Sequence, residues 1–222
     1  MQTAPDLYAA SANTLAVAIL LVEFLMLRAS LLRAQVRLYA TQSFIVAILA
    51  VVVAATQHIP ELYALAALSL LLKVVVVPMV VLRLLRDADV EIAGTGVIGV
   101  ASEVLLAMVV GGIGFFAVGR LPQLASPVLP SAALSLSVAV VLVSFVLMIV
   151  RTDVVSQAIG FFSLENGVSL ASLVVAAGLP LILEVAFLFD LLVAVVVFGV
   201  LMRMHHGRAD TLSTAGLNRL RG

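Results

Sequence analysis

Cysteine is absent from the 222-residue chain. That excludes disulfides, a cysteine zinc site and iron–sulfur clusters held by thiolates. Histidine is scarce, with three in all. His58 falls in a short loop, and His205 and His206 close the last apolar run. None sits mid-span, so a b-type haem with two axial histidines inside a bundle is not expected. Charge is scarce too, at 11%, against about 25% in soluble domains. Before the first apolar run there is only Asp6 and no basic segment, which does not read as a cleaved signal peptide. No nucleic-acid partner is expected, and no cofactor is expected in this chain.

Apolar residues make up 64% of the chain, and its mean hydropathy is +1.29. The apolar runs approach the ~20 residues that cross ~30 Å of hydrocarbon as a helix. Short alternating segments, the mark of a membrane β-barrel, are missing. The expected fold is an all-α integral membrane protein with seven transmembrane helices. The pattern predicts them at about 9–27, 38–56, 61–83, 95–118, 131–150, 155–178 and 181–203, with short connections and antiparallel neighbours. Pro60, Pro122, Pro127, Pro130 and Pro180 fall in loops or at helix starts, where a missing N–H costs little.

Ten of the twelve basic residues fall on one side of these spans: Arg28, Arg33, Arg37, Arg83, Arg86, Arg151, Arg203, Arg208, Arg219 and Arg221. Arg120 alone falls on the other, and Lys73 lies within a span. The positive-inside rule then places the N-terminus outside and the C-terminus in the cytoplasm. Three parts are expected: a bundle over 1–150, a unit over 151–204 joined by the span 131–150, and a cytoplasmic tail over 205–222. Leu212, Leu217 and Leu220 in that tail can form an amphipathic turn or two.

Ionisable residues inside apolar spans are expensive, about 2.5–3.5 kcal/mol each near the centre, and read by default as an ion pathway. At a rise of about 1.5 Å per residue, Lys73 lies roughly 18 Å into its span, Glu165 roughly 15 Å and Asp190 roughly 13 Å, all near the midplane. Glu103 is shallower. Lys73, Glu165, Asp190 and Glu103 form the expected proton or ion pathway. Glu23 and Glu184 lie nearer span ends, where headgroup contact or snorkelling is the plainer reading. Gln42, Gln57, Gln157 and Asn166 suit interhelical hydrogen bonds. Pro78 follows Lys73 by five residues and can bend that helix, freeing a carbonyl near Val74. Five acids against one base in the spans imply that some acids are protonated or that a neighbouring subunit supplies base.

Gly94-Thr95-Gly96-Val97-Ile98-Gly99 matches the dinucleotide-binding pattern, yet no strand precedes it and no acid follows about 20 residues on. Close helix packing through small residues explains it better, as it does Gly111, Gly112 and Gly114.

Tyr39-Ala40-Thr41-Gln42-Ser43, the stretch from Lys73-Val74 to Pro78, the segment from Gly160 to Glu165-Asn166-Gly167, Asp190, and the tail from Leu212 to Gly222 together resemble hydrogenase-4 component E. The resemblance covers nearly the whole chain. The last three spans are also similar to the K subunit of respiratory complex I and its relative in multisubunit cation/proton antiporters. That small subunit carries a buried glutamate in each of its last two helices. Here Phe162 stands at the first of these positions, with Glu165 about one turn later on much the same face, and Asp190 stands at the second. The resemblance implies a non-catalytic membrane-arm subunit in the inner membrane of the cell. Its expected partners are antiporter-like membrane subunits, the lipid bilayer, and a peripheral redox arm carrying [NiFe] or iron–sulfur centres. Electron transfer there would drive protons or sodium ions past the buried charges here. A cation/proton antiporter subunit without redox chemistry, a stand-alone carrier of a small solute and a purely structural scaffold are the alternatives.

Overall fold

A computed structural model describes residues 4–87, 92–93, 96–119, 131–175, 196 and 199. Six helices among them are long and apolar enough to cross a membrane, and the protein is a multi-pass helical membrane protein. Of the seventh expected span only Val196 and Gly199 are described; Glu184 and Asp190 lie outside the described residues, as do the tail, Pro122, Pro127, Pro130 and Pro180.

Helix α1 (Ala4–Arg28) ends on a basic residue, which suits the partial negative charge of a helix C-terminus. Helix α2 (Leu32–Gln57) begins six residues before the predicted start, so Arg33 and Arg37 lie on the helix rather than in a loop. His58 closes it in a left-handed conformation (φ 55°), and its N–H bonds back to the Ala54 carbonyl. Pro60 then precedes α3 (Glu61–Ser69), where its absent N–H removes nothing.

The third span changes character midway. Leu70–Val76 is a π-helix, and α4 (Val77–Asp87) completes the crossing. The Val77 N–H bonds to the Leu72 carbonyl, five residues back. Pro78 has no N–H to offer the next rung. The backbone therefore takes up the proline by widening a turn ahead of it, and Lys73 sits in that widened turn.

Helix α5 (Val100–Gly119) starts five residues later than predicted, and Gly96 and Gly99 precede it. Helices α6 (Ser131–Val150) and α7 (Val154–Val175) follow. Asp153 caps α7, its carboxylate accepting from the Ser156 N–H at 2.7 Å.

Cross-helix contacts set the directions. Gln35 meets Ser156 and Ser43 meets Asn166, so α2 and α7 run parallel. Glu23 meets Ser144 and Leu27 meets Arg151, so α1 and α6 run parallel too. Two small residues let α7 approach α6 closely. A methyl added at Gly160 would lie 2.7 Å from the Met148 side chain, and one at Gly167 would lie 3.1 Å from the Val141 backbone nitrogen. Gly111 and Gly114 play the expected role between α5 and α6, against Val143 and Leu142, whereas Gly112 faces open space.

One end of the bundle holds the loop at 58–60. The opposite end holds Arg28, Arg33, Arg83, Arg86 and Arg151. Each end has its own apolar core. Ala12, Ala16, Ile19, Leu49, Ala66 and Leu170 belong to the loop-end core. Met26, Leu32, Tyr39, Val81, Leu147 and Phe162 belong to the arginine-end core. In each of these helices the chain passes from one core to the other through polar residues: Glu23 on α1, Gln42 and Ser43 on α2, Lys73 on the π-turn, and Ser144, Ser163 and Asn166 on α6 and α7.

Candidate functional site

That polar layer is one connected network. The Lys73 ammonium lies 3.6 Å from a Glu165 carboxylate oxygen. It also donates to Asn166 Oδ1 and Ser169 Oγ, each at 3.4 Å. The Asn166 amide donates to Gln42 Oε1 and to Ser43 Oγ, both at 2.9 Å. Gln42 Nε2 in turn donates to Glu23 at 2.7 Å and to the Ile19 carbonyl at 3.3 Å. Both amides have acceptors on the nitrogen side and donors on the oxygen side, so their orientations are mutually determined.

Glu23 is fully buried. It accepts from Gln42, from Ser144 at 3.0 Å and from Ser163. No cation pairs with it among the described residues. Ser163 also lies 2.8 Å from Gln42 Oε1. One hydroxyl proton cannot serve both acceptors. With Glu23 ionised, Ser163 donates to the carboxylate. With Glu23 protonated, Glu23 donates to Ser163, which turns its own proton to Gln42. The site thus accommodates Glu23 in either protonation state by rotating one hydroxyl.

A second polar group lies at the arginine end. Arg151 pairs with Glu103 at 3.7 Å, and both are buried. The Arg151 guanidinium also donates to the Leu27 carbonyl in the last turn of α1. Gly96 packs against Glu103, since an added methyl would collide with its Oε1. Buried Gln35 links Met26 and Ala29 of the α1 end to Ser156 of α7.

Lys73 and Glu165 meet, and Gln42 and Asn166 bridge helices. Pro78 is buried just beyond the π-turn. Four expectations need correction. Glu23 does not reach the headgroups, because three donors on α2, α6 and α7 hold it inside. Among the described residues Glu103 pairs with Arg151 at the bundle end, and no hydrogen bond or ion pair links it to the Lys73 network. Arg151 is itself a buried base, so Lys73 is not the sole base within the bundle. Gln157 bonds locally to the Arg151 carbonyl and Gln57 is exposed, and neither bonds to another helix among the described residues.

Ser43, Ser144, Ser163 and Ser169 complete the network, and hydroxyls at helical spacing beside Gln42 and Asn166 were the available signal.

The geometry defines a class: a multi-pass helical membrane protein with a buried ionisable layer shared by five spans. The chain is 32% identical over 183 residues to a protein described as uncharacterized protein Rv0085 of Mycobacterium tuberculosis, covering 81% of this chain and 83% of that one. It belongs to the same family as that mycobacterial protein. No protein-family model matches it, and no solved structure does.

Proposed function

We propose that this chain is a non-catalytic, ion-translocating subunit of a membrane assembly resembling hydrogenase-4 and complex I. In this reading Lys73, Glu165 and Glu23 carry protons or sodium ions, coupled to electron transfer in a peripheral arm with [NiFe] or iron–sulfur centres. One observation carries it: the unbroken donor–acceptor chain from Lys73 through Asn166 and Gln42 to Glu23, with an ionisable group at each end.

The chemistry follows from burial. Held together, Lys73 and Glu165 balance their charges. Pulled apart in a low-dielectric interior, they leave two uncompensated charges, and a proton passing from the ammonium to the carboxylate erases both. A π-turn, a rare form that recurs at functional sites, is a suitable mount for the lysine. Amides do not pass protons on readily, so Gln42 and Asn166 act by orientation, making the state of Glu23 felt at Lys73.

The seventh span would bring Asp190 and Glu184 to the same assembly. The arginines at one end support a cytoplasmic placement of that end, with the N-terminus outside, in the cytoplasmic membrane.

The test is purification of the full chain in gentle detergent with identification of what accompanies it, joined to ion flux in native vesicles. Antiporter-like subunits with a redox arm, and flux abolished by Lys73→Met, would support the reading. Antiporter subunits without a redox arm would leave transport and remove electron chemistry. Flux unchanged in Lys73→Met and Glu165→Gln would reduce the chain to a scaffold.

A further inference from the structure

A cavity of about 40 Å³ lies beside Lys73, among Ala47 and Ala50 of α2, Ala66 and Ser69 of α3, and Ser169 and Ser172 of α7. It is large enough for a water, which needs roughly 10–15 Å³ and two to four polar partners. The partners are there. Ser172 Oγ is buried with no hydrogen-bond partner among the described residues, a costly state for a hydroxyl unless water serves it. The contacts of Lys73 to Asn166, Ser169 and Glu165 run from 3.4 to 3.6 Å, at or beyond the long limit for N–H···O bonds. With two long hydrogen bonds and an ion pair at 3.6 Å, the third ammonium proton can still be given to water.

The cavity is one-sided. On α2 its lining comes after Gln42, on α3 before Lys73 and on α7 after Asn166, always toward the loop at 58–60. Ser69, Ser169 and Ser172 are half-buried, so the lining on that side is not sealed within the bundle. Toward the arginine end lie the buried rings of Tyr39 and Phe162, their centroids 5.7 Å apart, within an apolar core.

We infer that this cavity is a water-binding access chamber that connects the Lys73–Glu165 pair to the loop 58–60 face of the membrane and to that face alone. It rests on the proposed function for its purpose, since protons or hydrated ions would enter here, but its hydration is independent of that purpose.

Because the chain has no cysteine, single cysteines report cleanly. The cysteine thiolate attacks the sulfur of a methanethiosulfonate, forming a mixed disulfide and releasing methanesulfinate, and the thiolate forms only where water reaches the sulfur. Ser172→Cys and Ala50→Cys in the full chain, in vesicles of known sidedness, would be treated with a charged, membrane-impermeant methanethiosulfonate. Ser144→Cys is the dry reference. The expected result is modification from the loop 58–60 face only, about tenfold faster or more than at Ser144→Cys. Ala47→Cys replaces either variant that fails to insert. Rates no greater than the reference, or equal from both faces, would overturn the chamber. A reactive chamber in a protein that moves no ions would overturn the proposed function and leave the chamber standing.

Discussion

Lys73–Glu165 and Arg151–Glu103 are buried pairs of nearly equal length, 3.6 and 3.7 Å, built on different principles. The first sits between two apolar cores, on a π-turn, beside a cavity, with serines and amides around it. The second sits at the bundle end, tied to the last turn of α1 and closed over by Gly96. The chemistry of the bases differs in the same direction. A lysine can surrender its proton and become neutral, whereas a guanidinium stays charged. A lysine pair in a roomy site is suited to changing state, and an arginine pair in a closed one is suited to holding elements together.

The sharpest way to break this contrast is to remove each acid. Glu103→Gln takes the charged partner from a guanidinium that stays ionised, and is expected to cost up to about 3–5 kcal/mol. Glu165→Gln leaves Lys73 free to shed its proton, so its loss should be clearly smaller. Thermal unfolding of both variants in detergent decides the matter, and equal losses would dissolve the distinction.

Gly167→Ala comes next. The new methyl would press on the Val141 backbone beside Asn166, with an expected overpacking cost of about 1–3 kcal/mol. Gly112→Ala, facing open space, is the matched control and should stay within about 0.5 kcal/mol of the parent. A similar shift in the two would show that α6 and α7 are not held at the separation described.

Glu23→Gln tests the network itself. The new amide nitrogen would face donors where a carboxylate accepted three bonds, at about 1–3 kcal/mol. Ser144→Ala removes only one donor to Glu23 and should cost about 1 kcal/mol. Were Ser144→Ala the worse of the two, Glu23 would not be the centre of that layer.

The sequence alone was enough to establish a helical membrane protein, because a bilayer admits few solutions and long apolar runs state the choice. It was enough to single out Lys73 and Glu165, because a charge in the middle of such a run is visible by its cost. Pro78 marked a disturbance in the third span but not its form. The form depended on how the backbone around Lys73 absorbs a missing N–H.

Only the tertiary structure decided the pairing. Lys73 had several acids to choose from, and the parallel arrangement of α2 and α7 brought Asn166 and Glu165 to it. The side-by-side course of α1 and α6 turned Glu23 inward, where single-helix depth had placed it at the surface. Arg151, a loop charge by position, became a buried clamp because the ends of α1 and α6 lie together. Depth along one helix is written in the sequence through its rise per residue. The direction in which a side chain faces, and what it finds there, exists only once the helices have packed.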